Sequence, residues 1–293
     1  MGDIDQVTLG RFGVWTAEFE TQPAAEIRRS IRDLEQQGWK ALWFPESRGR
    51  EALSLAGYLL SQTTSMTIVN GIARVWSREA KWTHGGALLL ADAYPHRHVL
   101  GLGFGDVRPG LKPMEKLNTY LDELDAQVAG SATPVPIHRL LAAYGPRMLE
   151  LARDRSAGAH TYHVNVSHTR IARQLLGPDA FLGVEHAVLF ETDPILARGI
   201  ARAHLSPFLS QRYNLAKFRR LGYTEADVTH GGSDRFVDDL VFWGDLDSIQ
   251  AGLDGHLHAG ADHVAVQVIG IKPGQSAMPH WRALGQALLE PRR

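Results

Sequence analysis

A few short stretches carry side chains that could do chemistry or hold a ligand. Glu46-Ser47 follow an apolar run that Pro45 ends, and set a carboxyl beside a hydroxyl. The pair could form a polar rim at a ligand, or Ser47 could accept a backbone N–H as a helix N-cap. Gly71-Ile72-Ala73 close another apolar run. A glycine there either lets backbone approach a ligand closely or marks a bulge. Gly101 to Asp106 reads Gly-Leu-Gly-Phe-Gly-Asp, which lacks GxGxxG spacing, and Pro109, Gly110 and Pro113 follow it instead of an opening helix. A dinucleotide loop is therefore a weak reading, and Asp106 stands either at a ligand rim or in a plain turn. Gly145-Pro146-Arg147-Met148 open a helix whose free N–H groups and positive dipole end could hold a phosphate, with Arg147 adding charge. The alternative is an ordinary proline-started helix. His160 and Tyr162 are two apart on a strand and so share a face, where they could flank a ligand or fill the core. Trp15 could wall a substrate pocket or pack in the core. For acid–base work the candidates are Glu46, Asp106 and His160, and a carboxylic acid in that role needs a pKa raised by burial.

Other chemistries are excluded. The chain has no cysteine, which removes disulfides, zinc ribbons and thiol nucleophiles. No HExxH or GxSxG occurs. His96 and His98 sit before a strand, while His256 and His258 are two apart on a helix and face different ways, so no metal site is expected. The net charge of −1 and the absence of a basic stripe make nucleic acid a poor partner. A near-zero charge is compatible with self-association. Apolar residues at 44% and charged residues at 22% describe an ordinary folded protein. The polar N-terminus does not read as a signal peptide, and no apolar run nears the roughly 20 residues of a membrane helix. The expectation is a cytoplasmic protein that acts on a small molecule.

The elements that must position these residues alternate. Strands are expected at 11–16, 41–44, 66–73, 98–102, 137–142, 159–164, 183–190 and 263–269. Helices are expected from Pro23 to Gly38, then at 51–62, 78–93, 114–128, from Gly145-Pro146 through Ala152, at 169–176, 194–221, 245–258 and 281–289. Ile27, Ile31 and Leu34 illustrate the helical spacing. A shorter insertion is expected up to Leu240. Eight βα units close naturally into a (β/α)8 TIM barrel, a single domain over 1–293, with a doubly wound open sheet as the alternative. Barrel chemistry belongs at strand C-termini, which is where the candidate residues lie.

The segments Gly38–Glu46, Asn70–Trp76, Val99–Gly103, Leu140–Ala152 and Gly260–Val264, taken in order, resemble the luciferase-like group of flavin- and deazaflavin-dependent oxidoreductases. The Arg, Ala and Gly richness is similar to the branch that mostly uses coenzyme F420. The resemblance implies the barrel and hydride chemistry with coenzyme F420, or with FMN as the alternative cofactor in a monooxygenase. It implies a non-proline cis peptide in Gly71-Ile72-Ala73 backing the ring, and a phosphate cradle at Gly145–Met148. It also implies a homodimer through the second and third helices. The family often has a histidine where Ser47 stands, which leaves Glu46 as the titratable group there. A barrel that binds cofactor without catalysis is the alternative of another class.

Overall fold

A computed structural model describes residue 4 and residues 7–105, 110, 112–130, 135–272 and 274–289. Strands β1 (Phe12–Trp15), β2 (Ala41–Phe44), β3 (Thr67–Asn70), β5 (His98–Gly103), β6 (His138–Ala142), β7 (Gly158–Thr161), β8 (Phe181–Leu189) and β10 (His263–Val268) pair in parallel. The ring closes because β10 pairs with both β1 and β8. The open-sheet alternative is thereby excluded, and the fold is a (β/α)8 barrel. Two short strands join it. β4 (Ala73–Arg74) continues β3 after a break, and β9 (Val241–Trp243) runs beside the upper half of β8.

Helices α1 (Ala24–Gln36), α2 (Ala52–Ser61), α3 (Ala80–Ala93), α4 (Pro113–Ala129), α5 (Pro146–Arg155), α6 (Val166–Leu176), α11 (Leu246–His258) and α12 (Met278–Leu288) cover the outside. The strands read as continuous apolar runs because both faces are buried, one by these helices and one by the barrel interior. Phe12, Val14, Leu42, Phe44, Ile68 and Leu102 pack outward under the helices. Trp15, Ala41, Trp43, Val69, Val99, Leu140 and Ala265 fill the interior, with Val7 and Leu9 from the N-terminal segment.

Two expected elements differ. The stretch 194–221 is not one helix but α7 (Pro194–Leu209) and α8 (Arg212–Arg220), with Pro207 in the last turn before the break. Proline there lacks an N–H and crowds the preceding turn, which favours a stop. The sixth expected strand ends at Thr161 and not at Val164. His163 takes a positive φ of 50°, and β9 occupies the edge of β8 that β7 leaves. α9 (Glu225–Val228) and α10 (Asp234–Leu240) complete the insertion. Phe218, Tyr223, Phe236, Val237 and Leu240 give it a core of its own against Leu189, Ala201 and Leu205. Phe236 meets Phe218 edge-on at 4.9 Å, and Asp234 and Asp238 pair with Arg198 at 2.9 and 2.7 Å.

Candidate active site at the barrel mouth

The peptide between Gly71 and Ile72 is cis, where the resemblance places one. Its surroundings explain the glycines nearby. A Cβ on Gly101 would lie 1.9 Å from the Asn70 carbonyl oxygen, and one on Gly103 would lie 2.8 Å from Ala142 and 3.0 Å from Ile72. Gly101 must be bare for the Asn70 backbone to pass, and Gly103 for the Ile72 and Ala142 side chains to pack. His98 and Asn70 are linked at 3.0 Å and the Asn70 amide donates to the Ala52 carbonyl at 3.3 Å, which ties the segment to α2.

Glu46 belongs to this scaffold. Its N–H donates to the Ile72 carbonyl at 3.1 Å, and its carboxylate accepts the Arg74 N–H at 2.7 Å and pairs with Arg78. It thus holds the backbone that follows the cis bond, while on the other side the Gly71 N–H donates to the Phe44 carbonyl at 2.7 Å. Ser47 does not cap a helix. Glu51 caps α2, while the Ser47 N–H and hydroxyl and the Arg48 N–H all donate to buried Glu20. Ser47 itself is exposed and Ala73 is buried. Asp106 lies outside the described residues.

Gly71 faces Trp15, His160 and Trp43. A Cβ on it would stand 3.1 Å from Trp15 Nε1 and 3.4 Å from both His160 Nε2 and the Trp43 ring. Trp43 stacks between His160, at 4.6 Å, and His263, at 5.5 Å. The Trp43 indole donates to His263 Nε2 at 2.9 Å, while His263 Nδ1 donates to the Gly10 carbonyl at 2.7 Å, which fixes that tautomer. His160 is different. Neither of its ring nitrogens meets a partner in hydrogen-bond geometry, and Trp15 Nε1 is likewise unpartnered. Burial pulls His160 down to about 3, with the Gly183 backbone opposing the shift and His263 adding to it. At neutral pH it is an uncharged imidazole that offers one donor and one acceptor. Two buried polar atoms beside a bare glycine, Trp15 Nε1 and His160 Nε2, suit a planar heterocycle with polar edges. Tyr162 extends the wall, with its ring 5.3 Å from Trp15 and its hydroxyl 3.4 Å from the Gln267 amide oxygen.

Gly145 is the N-cap of α5 and Pro146 its first residue, with no side chain capping the turn. His168 Nε2 holds the preceding Tyr144 carbonyl at 2.8 Å. Arg147 is exposed and Met148 half-buried. The second cation at this turn is Arg220 of α8, whose guanidinium would lie 3.3 Å from a Cβ on Gly145. Pro146 has no N–H, and the Met148 and Leu149 N–H groups donate to the Gly145 carbonyl at 3.0 Å, so what the turn offers a phosphate is the positive end of a helix and an arginine.

α8 arches over this side of the mouth. Tyr213 donates to the Gly105 carbonyl at 3.1 Å, and Lys217 donates to the Tyr162 carbonyl at 3.1 Å. Below it Glu185 of β8 is fully buried, accepts the His163 N–H at 3.1 Å and leaves Oε1 without a partner. Sequence reasoning missed Glu185, Lys217 and Arg220. Glu185 lies mid-strand, flanked by Val184 and His186, and the two cations come from an insertion whose place over the barrel has no local signal. The lone carboxyl within a mostly apolar strand was the one clue available.

Residues 6–114 match the model of the family described as luciferase-like monooxygenase. A 5,10-methylenetetrahydromethanopterin reductase of Methanolobus tindarius is 25% identical over 177 residues, 51% of this chain and 53% of that protein. The chain thus spans about half the length of the curated relative it matches. Among solved structures, the coenzyme F420 dependent tetrahydromethanopterin reductase of Methanopyrus kandleri superposes with a TM-score of 0.69 at 14% identity, covering 96% of this chain and 99% of that one. The oxygenating constituent of 3,6-diketocamphane monooxygenase from Pseudomonas putida, solved with FMN, gives 0.68 at 12%, covering 94% and 96%. At such identities the structures speak for the fold alone. The chain is a barrel of luciferase-like fold that carries the family's sequence pattern over residues 6–114. The three proteins just described are, by name, two reductases and a monooxygenase. Among the described residues no helix is long and apolar enough to cross a membrane, and no cluster of metal-ligating side chains occurs.

Proposed function

We propose that this protein is an oxidoreductase that transfers a hydride between coenzyme F420 and a small organic substrate. The observation that carries the reading is the bare Gly71 face, set against the unpartnered Trp15 and His160 nitrogens and within one mouth with the Gly145 turn. The cofactor, when bound, supplies or takes up the hydride. Gly71, Ile72 and Ala73 would back its ring, with Trp15, Tyr162 and His160 at its edges. Gly145, Pro146, Arg147 and Met148, joined by Arg220, would hold its phosphate. Glu46 keeps the cis segment in place through Arg74 and Arg78, and Ser47 lines the rim beside Glu20. Asp106 remains a candidate on the sequence. The aromatic wall would shield a ring bound there from water.

FMN is the second reading, favoured by the equally good superposition on an FMN-bound monooxygenase. Fluorescence titration of the purified protein with coenzyme F420 and FMN side by side separates the two. Micromolar binding of the deazaflavin with weak FMN binding is expected. The reverse preference would make the protein a flavin monooxygenase candidate, and binding of neither would end the oxidoreductase reading. Arg220→Ala should weaken binding about 10-fold, the loss of one exposed charge-assisted contact to phosphate.

The reading includes a cytoplasmic homodimer. Its interface is proposed on α3, where Trp82 and Leu89 are 65% and 66% exposed and lie two turns apart on one face. Gly85 between them has open space above it, so a partner helix could come close.

A further inference from the structure

Glu185 is an unusual residue to find where it is. Inward positions of β8 alternate, and the register sets His160 opposite Gly183 and Thr161 opposite Val184. Glu185 therefore comes level with Tyr162, which itself packs on Trp15 beside Gly71. The carboxyl is fully buried, one oxygen is held by the His163 N–H, and the other has no partner. No arginine pairs with it among the described residues. The cation that faces it is Lys217, buried on α8, whose ammonium is held by the Tyr162 carbonyl and lies over the Phe218 ring at 4.6 Å. The remaining titratable neighbours are Tyr162 and His163 from the segment after β7, His204 of α7 behind His163 at 3.3 Å, and His186 next along β8.

We propose that Glu185 is the proton-exchanging residue of the reaction, that its free oxygen faces the substrate, and that Lys217 is its electrostatic partner, brought into place by the α7–α8 cap. The proposal rests on the oxidoreductase reading above. Reduction of a carbonyl shows the balance. A bound reduced deazaflavin would supply the hydride that forms the C–H bond at the carbonyl carbon as the C=O π bond breaks. The Glu185 carboxyl proton forms the O–H bond, so the substrate is reduced to an alcohol, the ring is oxidised and Glu185 is left as carboxylate. Lys217 stabilises that carboxylate, and solvent returns the proton. Alcohol oxidation runs the same steps backward, with Glu185 as base.

Burial is the main force on both groups. It raises Glu185 to about 8, against the pull of the His163 N–H and Lys217, and lowers Lys217 to about 7, against Glu185. A carboxyl so placed keeps its proton near neutral pH and can give it up, the match that general acid–base catalysis requires. His160 and His163 are both pulled down by burial and are uncharged in the same range.

The test is an infrared pH titration of the full chain as wild type, Glu185→Gln and Lys217→Met, beside ring oxidation by a panel of ketones and aldehydes. A protonated-carboxyl band that persists to about pH 8 is expected in the wild type, absent from Glu185→Gln and shifted to higher pH in Lys217→Met. Glu185→Gln should bind the deazaflavin as tightly as the wild type and oxidise it about 100-fold more slowly. A carboxyl that titrates in the ordinary carboxylate range, or a Glu185→Gln rate equal to the wild type, overturns the proposal. The infrared result needs no cofactor, so its failure is distinct from a failure to bind coenzyme F420 or FMN.

Discussion

The mouth of the barrel has two sides, one with Glu46 just past the end of β2 and the other with Glu185 in β8. On the β2–β3 side Glu46 is fully engaged, with Arg78 across from it and the Arg74 N–H on its second oxygen. On the β7–β8 side Glu185 has one N–H, one free oxygen and a lysine at longer range. The first arrangement fixes backbone. The second leaves a group with unused capacity in a dry interior, where an unmet polar atom is costly unless a ligand or proton meets it. The same residue type is scaffold in one place and a reactive candidate in the other, and what separates them is the supply of partners.

Substitutions should split along that line. Gly101→Val should be the most damaging, costing about 3 kcal/mol or more, because its side chain would occupy the path of the Asn70 carbonyl. Denaturant unfolding measures it, and ring binding should be lost with it. Glu46→Ala should follow at about 2 kcal/mol, since it leaves the Arg74 N–H without its carboxylate and Arg78 with Glu51 alone, at 2.9 Å. Glu185→Gln should change stability near pH 7 by no more than about 1 kcal/mol, while slowing turnover about 100-fold. Equal destabilisation by the two glutamate variants would erase the distinction.

Their pH dependence sharpens the contrast. Glu185 holds its proton more tightly folded than unfolded, from its ordinary 4.5 up to about 8. Its contribution is full below about 4.5 and is lost as pH rises through about 8. Glu185→Gln lacks that loss, so its stability relative to the wild type should rise between these limits. The buried histidines act with the opposite sign. His98, His160 and His256 fall from 6.5 to about 3, so the fold resists their protonation and loses stability as pH drops from about 6.5 toward 3. Midpoints of denaturant unfolding across pH read both effects. The smallest change should come from Trp82→Lys, which should shift monomer stability by less than about 0.5 kcal/mol. Sedimentation should nonetheless show monomers, and an unchanged dimer would place the interface elsewhere.

The alternation of apolar runs and amphipathic stretches determined the barrel. Each strand of a parallel barrel is buried on both faces, and each helix on one, so composition and period record the architecture directly. β2 was legible to the residue, and β5 and α3 nearly so. The candidate residues also fell where a barrel places chemistry, because strand ends are marked by glycine and proline. Trp15, Gly71 and His160 do converge, although only the closed barrel brings strands one, three and six to one point. The sequence could not show which carboxyl would be engaged. Glu46 looked like the free acid, but Arg78 lies 32 residues away and reaches it only once α3 has folded back. Glu185 looked like part of a buried strand, and it is one. Its character came from Lys217, carried over the mouth by an insertion helix. Partner supply is a long-range property, set by which elements pack together, and so the chemistry of the two carboxyls was decided by tertiary structure alone.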